Sequence, residues 1–465
     1  MLRLILCIEL FCFAATLSAK APNFIMFITD DQGVYHSNPY GASEMRTPHM
    51  QALADDGLRF TRAYVASPSC APSRSALFSG LMPHNNGVVG NHENLTKEGV
   101  ASLLPLISGI GYEIAWYGKV GHGAAWYASH PSITRIPYSE KASKNSARRL
   151  DMGDVENFLR NRKEASRPLA LFVGSRWPHR PWPEPGTTRI PFEDIVLPPK
   201  TFDTQEARSE MARYIESVER ADHKLGALRI LVREYLGEDN TLLLFTADHG
   251  QAWPFGKWTL YETGIRTPLI VVWPGRIQPN KTTRAMVSWI DIIPTFIDLA
   301  GGEIPWEIDG RSFKAVLLGE TNRHREEIYA VQKGDKAMSV YPIRSIRSEK
   351  YKYIRNLYPE FLFTTHMDHV REDSPYWNRN WQSWVDAAKS DPEAAAFLRA
   401  YHSRPPEELY LVESDPFEKT NLAHDPGFEK VLKAMREKVL RRMEEVGDDR
   451  SLSGEPRFLK DHPLP

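Results

Sequence analysis

Four short apolar runs in this sequence each end in residues able to move protons or hold a charged ligand. NFIMFIT is followed by Asp30 and Asp31, EIAWYG by Lys119 and His122, LALFVG by His179, and TLLLFTA by Asp248 and His249. Acids and histidines just past a strand are commonly turn formers or helix caps, so one such site says little. Four of them say more, because the C-terminal edge of an open α/β sheet is where ligands bind.

A fifth candidate is a cysteine. The chain has three, and Cys7 and Cys12 lie in MLRLILCIELFCFAATLSAK, which has a positive charge at Arg3, an apolar core and a small-residue end. That pattern predicts a secretory signal peptide over residues 1–19. Cys70 is then alone in an exported protein, where it cannot be a scaffold disulfide and is either an inert thiol or chemistry. In SPSCAPSRSALFSG, Pro72 suits the first turn of a helix that runs without a breaker to Gly80. Cys70 falls at the N-terminus of that helix, where unpaired N–H groups and the helix dipole favour an anion, and Arg74 lies one turn in. Flanking Ser and Pro fit poorly with a buried structural cysteine.

The elements that must position these residues follow from the pattern. Apolar strands alternate with amphipathic segments such as TPHMQALADDGLRF and EMARYIESVERADHKLGALRILVREYL. This predicts βαβ units and an α/β fold with a mostly parallel sheet sandwiched by helices. RWPHRPWPEPGTTRIPFEDIVLPP is too rich in proline for regular structure and reads as a long functional loop. SVYPIRSIRSEKYKYIRNLYPE predicts two antiparallel strands around a turn at Ser348–Glu349, and FEKVLKAMREKVLRRMEEVG an amphipathic helix. With 465 residues, the chain exceeds one small core. A large domain over 20–339 and a smaller C-terminal α+β domain with an antiparallel sheet over 340–465 are expected. The net charge of −1 gives no general pull toward nucleic acid or an anionic membrane. Past the signal peptide, no segment has the length of a transmembrane span.

Cys-Ala-Pro-Ser-Arg, with Leu77 and Ser79-Gly80 after it, resembles the signature of the type I sulfatases. The paired aspartates upstream, Lys119 and His122 downstream and TADHG support the resemblance, which covers nearly the whole mature chain. It implies an alkaline-phosphatase-like fold and conversion of Cys70 to formylglycine (3-oxoalanine) by a formylglycine-generating enzyme. The hydrated aldehyde carries two hydroxyls: one attacks sulfur, and the second expels sulfate by re-forming the carbonyl. Neither a thiolate nor a serine has that second hydroxyl.

The resemblance also implies the roles. Asp30, Asp31, Asp248, His249 and the modified residue 70 would hold one divalent cation, calcium before magnesium. Arg74 and Lys119 would hold the diol and sulfate, Lys257 in WPFGKW a sulfate oxygen, His122 would be the base and His179 the acid. His249 stands where most members carry asparagine, two residues rather than one separate Lys119 from His122, and Ile114 replaces the Ser or Thr of the second signature. Parts of the chain look like the heparan N-sulfatase (sulfamidase) branch, and GKVGHG and ADHG like the iduronate 2-sulfatase branch. The resemblance therefore implies a sulfated carbohydrate, such as a glycosaminoglycan, and leaves N–S or O–S cleavage open. A phosphomonoesterase or phosphodiesterase of the same superfamily and a non-catalytic glycan-binding relative are the alternatives. Trp177, Arg180 and Trp182 beside His179 are a candidate sugar platform. Asp222 and His223 read as packing or capping residues.

Overall fold

The computed structural model describes residues 21–464 apart from 93–96, 123–129, 140–149, 164–165, 184–189, 337, 369–378, 449 and 463. The expected signal peptide lies outside the described residues. The larger sheet contains β1 (Asn23–Thr29), β2 (Leu58–Tyr64), β3 (Glu113–Gly118), β4 (Ile133–Arg135), β5 (Leu169–Gly174), β6 (Thr241–Ala247), β7 (Arg266–Val272), β8 (Lys281–Thr283) and β9 (Val287–Ser288). Its order is β4-β3-β5-β1-β6-β7-β2-β8, with β9 also on β2. The pairs from β4 to β6 are parallel, and β7 runs antiparallel to both its neighbours. Every residue of β1, β5 and β6 is buried, as strands covered on both faces require.

The flanking helices form two groups. One gathers around the long helix Gln205–Tyr235, which packs on Pro48–Asp55, Met152–Arg160 and Arg379–Ala387; the other joins Cys70–Ser79, Leu104–Gly109 and Ile292–Leu299. Asp222 performs the capping task expected of it, accepting the His49 and Met50 N–H groups at 3.2 and 2.7 Å.

The second sheet is antiparallel, β10 (Ile328–Gln332), β11 (Ile343–Arg347), β12 (Tyr351–Asn356) and β13 (Glu407–Leu411) in that order. It begins upstream of Val340, because β10 pairs with β11 along its whole length. The β11–β12 turn at Ser348–Glu349 is closed by the Ser348 N–H on the Tyr351 carbonyl at 2.9 Å. The helix Glu429–Glu445 lays Leu432, Met435, Val439 and Met443 on Ile346, Tyr353 and Leu409 of this sheet. The two sheets are joined by buried charge: Lys352 Nζ on β12 lies 3.2 Å from both Glu262 Oε1 and Glu418 Oε1.

Candidate active site

β3, β5, β1 and β6 are consecutive in the sheet and parallel, so the residues after them emerge side by side on one edge. β2 reaches that edge too and leads into the helix Cys70–Ser79, whose first residue is Cys70. One ligand atom each from Asp30, Asp31, Cys70, Asp248 and His249 lies within 4.8 Å of all the others, and all five residues are buried. Cys70 is a free thiol. Its Sγ lies 3.2 Å from Lys257 Nζ, 3.3 Å from His249 Nε2, 3.6 Å from Asp30 Oδ1 and 3.8 Å from both Asp31 Oδ1 and Lys119 Nζ.

The backbone is bent to make this possible. Asp31 holds φ 63, a left-handed conformation that aspartate tolerates better than most residues. Tyr214 stabilises it from the long helix: its hydroxyl donates to the Asp31 carbonyl at 3.2 Å and accepts the Gly33 N–H at 3.0 Å. Asp31 N–H donates to Asp248 Oδ1 at 3.0 Å, linking the β1 and β6 ends. Phe255 and Trp258, on either side of Lys257, also have φ near 62 and 71, and strain of this kind gathers at functional sites. Gly174 is required beside Lys119, since a Cβ there would lie 2.0 Å from the Lys119 carbonyl oxygen.

Burial alone would raise the Asp30 carboxyl, but Lys119, His179, Arg74 and Lys257 together hold it well below the usual range. Asp31 is lowered in the same way, against burial, chiefly by Lys257. Asp248 goes the other way: burial raises it despite His249 and Arg74. Burial opposes charge on His249 too, yet Asp248 and Cys70 push it up to about 9. Burial lowers His122 to about 3, helped by Lys119, and His179 to about 4. A neutral imidazole suits a base, and an anion laid against either ring would raise it.

The donor set fits a cation. Asp31 Oδ2 is buried with no hydrogen-bond partner, and His179 Nε2 is 4.0 Å from it. His249 Nδ1 lies 2.9 Å from the Gly250 carbonyl and must donate to it, so Nε2 is the nitrogen that faces the cluster and would bind a cation once its proton is displaced. Carboxylate oxygens with one imidazole suit a hard divalent ion.

Arg74 ties the cluster to the backbone around it. It is wholly buried, and it donates through Nε to Asp248 Oδ2 at 2.9 Å and through Nη1 to the Val120 carbonyl at 2.9 Å and to the Lys119 carbonyl. Its Nη2 is 3.4 Å from Asp30 Oδ1. Lys119 Nζ is ion-paired with Asp30 Oδ2, and Lys257 Nζ with Asp31 Oδ1 at 2.8 Å.

The expected sugar platform is not formed as three presented side chains. Trp182 is 5% exposed, stacks on Trp253 and donates Nε1 to the Pro178 carbonyl at 2.6 Å. Arg180 is buried on the Trp182 ring and paired with Glu210 at 3.2 Å. A buried guanidinium needs its carboxylate, and both side chains are thereby spent on packing the loop. Trp177 is half-buried under the Arg220 guanidinium.

Three residues near the site gave no signal in the sequence. Tyr214 sits within a long helix, and only the fold brings it to Asp31. His366, from the C-terminal region, accepts the Trp258 indole N–H at 3.0 Å, and burial and then Lys257 hold its ring well below the ordinary value. Asn91 accepts the Ala71 N–H next to Cys70 at 2.9 Å.

The fold and the cluster at its sheet edge define a hydrolase of the alkaline-phosphatase-like class. The chain belongs to the sulfatase family, whose model matches residues 22–302, and the model for the C-terminal region of N-sulphoglucosamine sulphohydrolase matches residues 249–373. An ulvan-active sulfatase of Formosa agariphila is 31% identical over 440 residues, spanning 91% of this chain and 80% of its own. N-sulphoglucosamine sulphohydrolase of Homo sapiens is 27% identical over 477 residues, spanning 92% and 91%. A solved structure of a protein in complex with its substrate D-glucosamine-2-N,6-O-disulfate shares the fold, with TM-score 0.67 and 19% identity over 92% of this chain and 99% of that one. The protein is a sulfuric ester hydrolase. No helix among the described residues is long and apolar enough to cross a membrane.

Proposed function

We propose that this sulfatase removes sulfate from a sulfated carbohydrate, with residue 70 acting as formylglycine beside a bound divalent cation. The observation that carries the reading is the crowding at Cys70: an unpaired, buried thiol at a helix N-terminus, with two lysines and an imidazole within 3.8 Å. A thiol needs none of this for packing. A sulfate above it does.

Formylglycine, installed by a maturation enzyme, would supply the attacking hydroxyl and the second hydroxyl whose ionisation releases sulfate. Asp30, Asp31, Asp248, His249 and residue 70 would hold the cation, calcium in our reading, whose charge offsets that of the sulfate oxygens. Lys119 and Lys257 bind the sulfate and screen it from Asp30 and Asp31, with which each is paired. Arg74 keeps the acids in register. His122 takes the proton that frees sulfate, and His179 protonates the leaving group.

A carbohydrate substrate is supported by relatives named for ulvan and for N-sulphoglucosamine. Export through the N-terminal stretch would bring the enzyme to such polymers. The phosphatase alternative calls for a second set of metal ligands, and the described residues hold one such cluster. The test is hydrolysis of N-, 2-O- and 6-O-sulfated saccharides, with mass analysis of the peptide containing residue 70. Release of sulfate from one class, together with a formylglycine mass, is expected. Unmodified cysteine in a fully active enzyme ends the mechanism, and a preference for phosphate esters ends the function.

A further inference from the structure

Trp258 follows Lys257 directly, and both its backbone and its ring are tied. The backbone N–H donates to the carbonyl of Pro68, two residues before Cys70, at 2.9 Å. The indole N–H donates to His366 Nδ1 at 3.0 Å. An indole N–H can only donate, so His366 accepts through Nδ1 and, as a neutral ring, carries its proton on Nε2. Burial and then Lys257 hold that ring well below the ordinary value, so it stays neutral beside the ammonium. Trp258 is 1% exposed, and without His366 its indole N–H would be buried and unpaired, a costly state.

His366 is held from its own side. Its neighbour Thr365 donates N–H to Asp368 Oδ1 at 3.1 Å, and Thr365 Oγ1 lies 2.9 Å from the Tyr401 hydroxyl. Phe363 N–H donates to the His402 carbonyl at 2.9 Å. Tyr401 and His402 end the helix Pro392–His402, so the imidazole stands on the C-terminal region and not on the Lys257 loop. That loop needs an outside anchor. Phe255 and Trp258, with φ 62 and 71, hold conformations that bulky residues keep only when their surroundings fix them. Between them, Lys257 carries the ammonium that lies 3.2 Å from Cys70 Sγ and 2.8 Å from Asp31 Oδ1.

We infer that His366 is a positioning residue for the sulfatase reaction: through the Trp258 indole it keeps the Lys257 ammonium at residue 70, where the sulfate is held. That role rests on Lys257 binding the sulfate, as proposed above. Trp258 has one anchor at Pro68 and the other at His366, and together they set the Lys257 backbone against the segment that carries Cys70. The ammonium is then in place before any sulfate arrives, which is what a binding cation needs.

Inorganic sulfate, used as a competitive inhibitor, reads how well the cluster holds the sulfate group whichever ester is turned over. His366→Ala removes the acceptor of the Trp258 N–H, and His366→Asn offers an amide oxygen where Nδ1 stands. With His366→Ala we expect the Ki for sulfate to rise about tenfold, the scale of one buried hydrogen bond. His366→Asn should recover most of that loss. Trp258→Phe removes the donor and keeps a ring, and its Ki should rise to a similar extent. The double variant His366→Ala with Trp258→Phe should go no further than either alone, since both remove the same bond. Effects that multiply in the double variant would show two separate roles and overturn the inference. So would a wild-type Ki in His366→Ala with only a lower melting temperature, which would leave the histidine as packing. Failure of His366→Asn to recover would show that the imidazole itself is needed, and would also overturn it. Should His366→Ala not fold, Trp258→Phe against His366→Asn carries the same comparison. Lys257→Ala tests the reading beneath: a wild-type Ki for sulfate there would overturn the sulfate role of Lys257, and this inference with it.

Discussion

Arg74 Nε donates to Asp248 Oδ2 at 2.9 Å with both side chains wholly buried, so the helix that opens at Cys70 is tied directly to the end of β6. The same guanidinium reaches Asp30 at the end of β1 and the Val120 carbonyl past the end of β3. One planar cation thus braces three strand ends, which an ammonium with its single point of charge cannot do.

Arg74→Met should accordingly cost about 3–5 kcal/mol, since it strands buried carboxylates without their counter-ion. Arg74→Lys should recover part of that loss. Thermal unfolding of the two variants checks the ordering. If Arg74→Met melts like the wild type, the brace is not structural, and the arginine is left with a role toward substrate alone.

Cys70→Ala should abolish sulfate release and leave the melting temperature within a few degrees. The side chain is small, makes no disulfide and is surrounded by charge, so little packing is lost. Cys70→Ser should be nearly as inactive where the maturation enzyme converts cysteine alone. Residual wild-type turnover in Cys70→Ala would remove residue 70 from the reaction.

The five residues of the cluster were legible in the sequence because each stands directly after a strand or at the start of a helix, positions that local patterning reveals. The β11–β12 hairpin and the C-terminal helix were legible for the same reason. Trp182 and Arg180 were misread as a presented platform, because a Pro-rich loop shows its composition in the sequence and not which side of it is buried. Tyr214, Asn91 and His366 carried no mark at all. Each reaches the site across more than a hundred positions of chain or through a backbone bond, and no spacing rule encodes such an approach. The charge of Arg74 one turn past Cys70 was evident, but its bond to Asp248 required the fold.

Removing the cation should lower stability as well as activity. A ligand at a hundredfold excess over its Kd contributes about 2.7 kcal/mol to the folded state, and chelation withdraws that amount. Asp31→Asn should weaken metal binding and turnover sharply, because Asp31 offers a buried oxygen with no other hydrogen-bond partner. His249→Asn should be milder, as an amide oxygen can replace the imidazole nitrogen. Calorimetry with and without chelator reads the first effect, and calcium titration of the apo-variants reads the others. Full activity with no metal by elemental analysis would exclude the site.

Asp222 gives a pH dependence distant from the catalytic cluster. Burial raises its carboxyl from the ordinary value to about 6, against the His49 and Met50 N–H groups it accepts. Because the folded state holds this proton more tightly, the contribution is fully present below about pH 4 and is lost as pH rises through 6. Asp222→Ala should therefore destabilise most at acid pH, and the gap to wild type should narrow by about 2–3 kcal/mol toward pH 7. What remains at neutral pH is the helix cap, worth about 1 kcal/mol. Denaturant unfolding across pH 4–7 measures the gap; one that widens with pH would contradict the raised carboxyl.

His179 can be tested as the acid by changing the leaving group. Its Nδ1 lies 2.5 Å from the Arg180 carbonyl and donates to it, so Nε2, the nitrogen 4.0 Å from Asp31 Oδ2, is the one that can exchange a proton at the site. A sugar alkoxide leaves only if protonated as the S–O bond breaks, whereas nitrophenolate leaves without help. His179→Ala should cost roughly 10²–10⁴ in kcat on a sulfated saccharide, the range of general acid catalysis. On nitrophenyl sulfate the loss should be far smaller. Equal losses on both substrates would mean that His179 holds the sulfate or shapes the pocket. The acid would then have to be a residue with a proton to give, and Lys257, 3.2 Å from the position of the nucleophile, is next in reach. Its proton is held tightly, however: burial works against the ammonium, but Asp31 and Cys70 raise it above the ordinary lysine value. A lysine held charged in this way binds sulfate better than it protonates a leaving group, and for that reason the expected outcome is unequal losses with His179 as the donor.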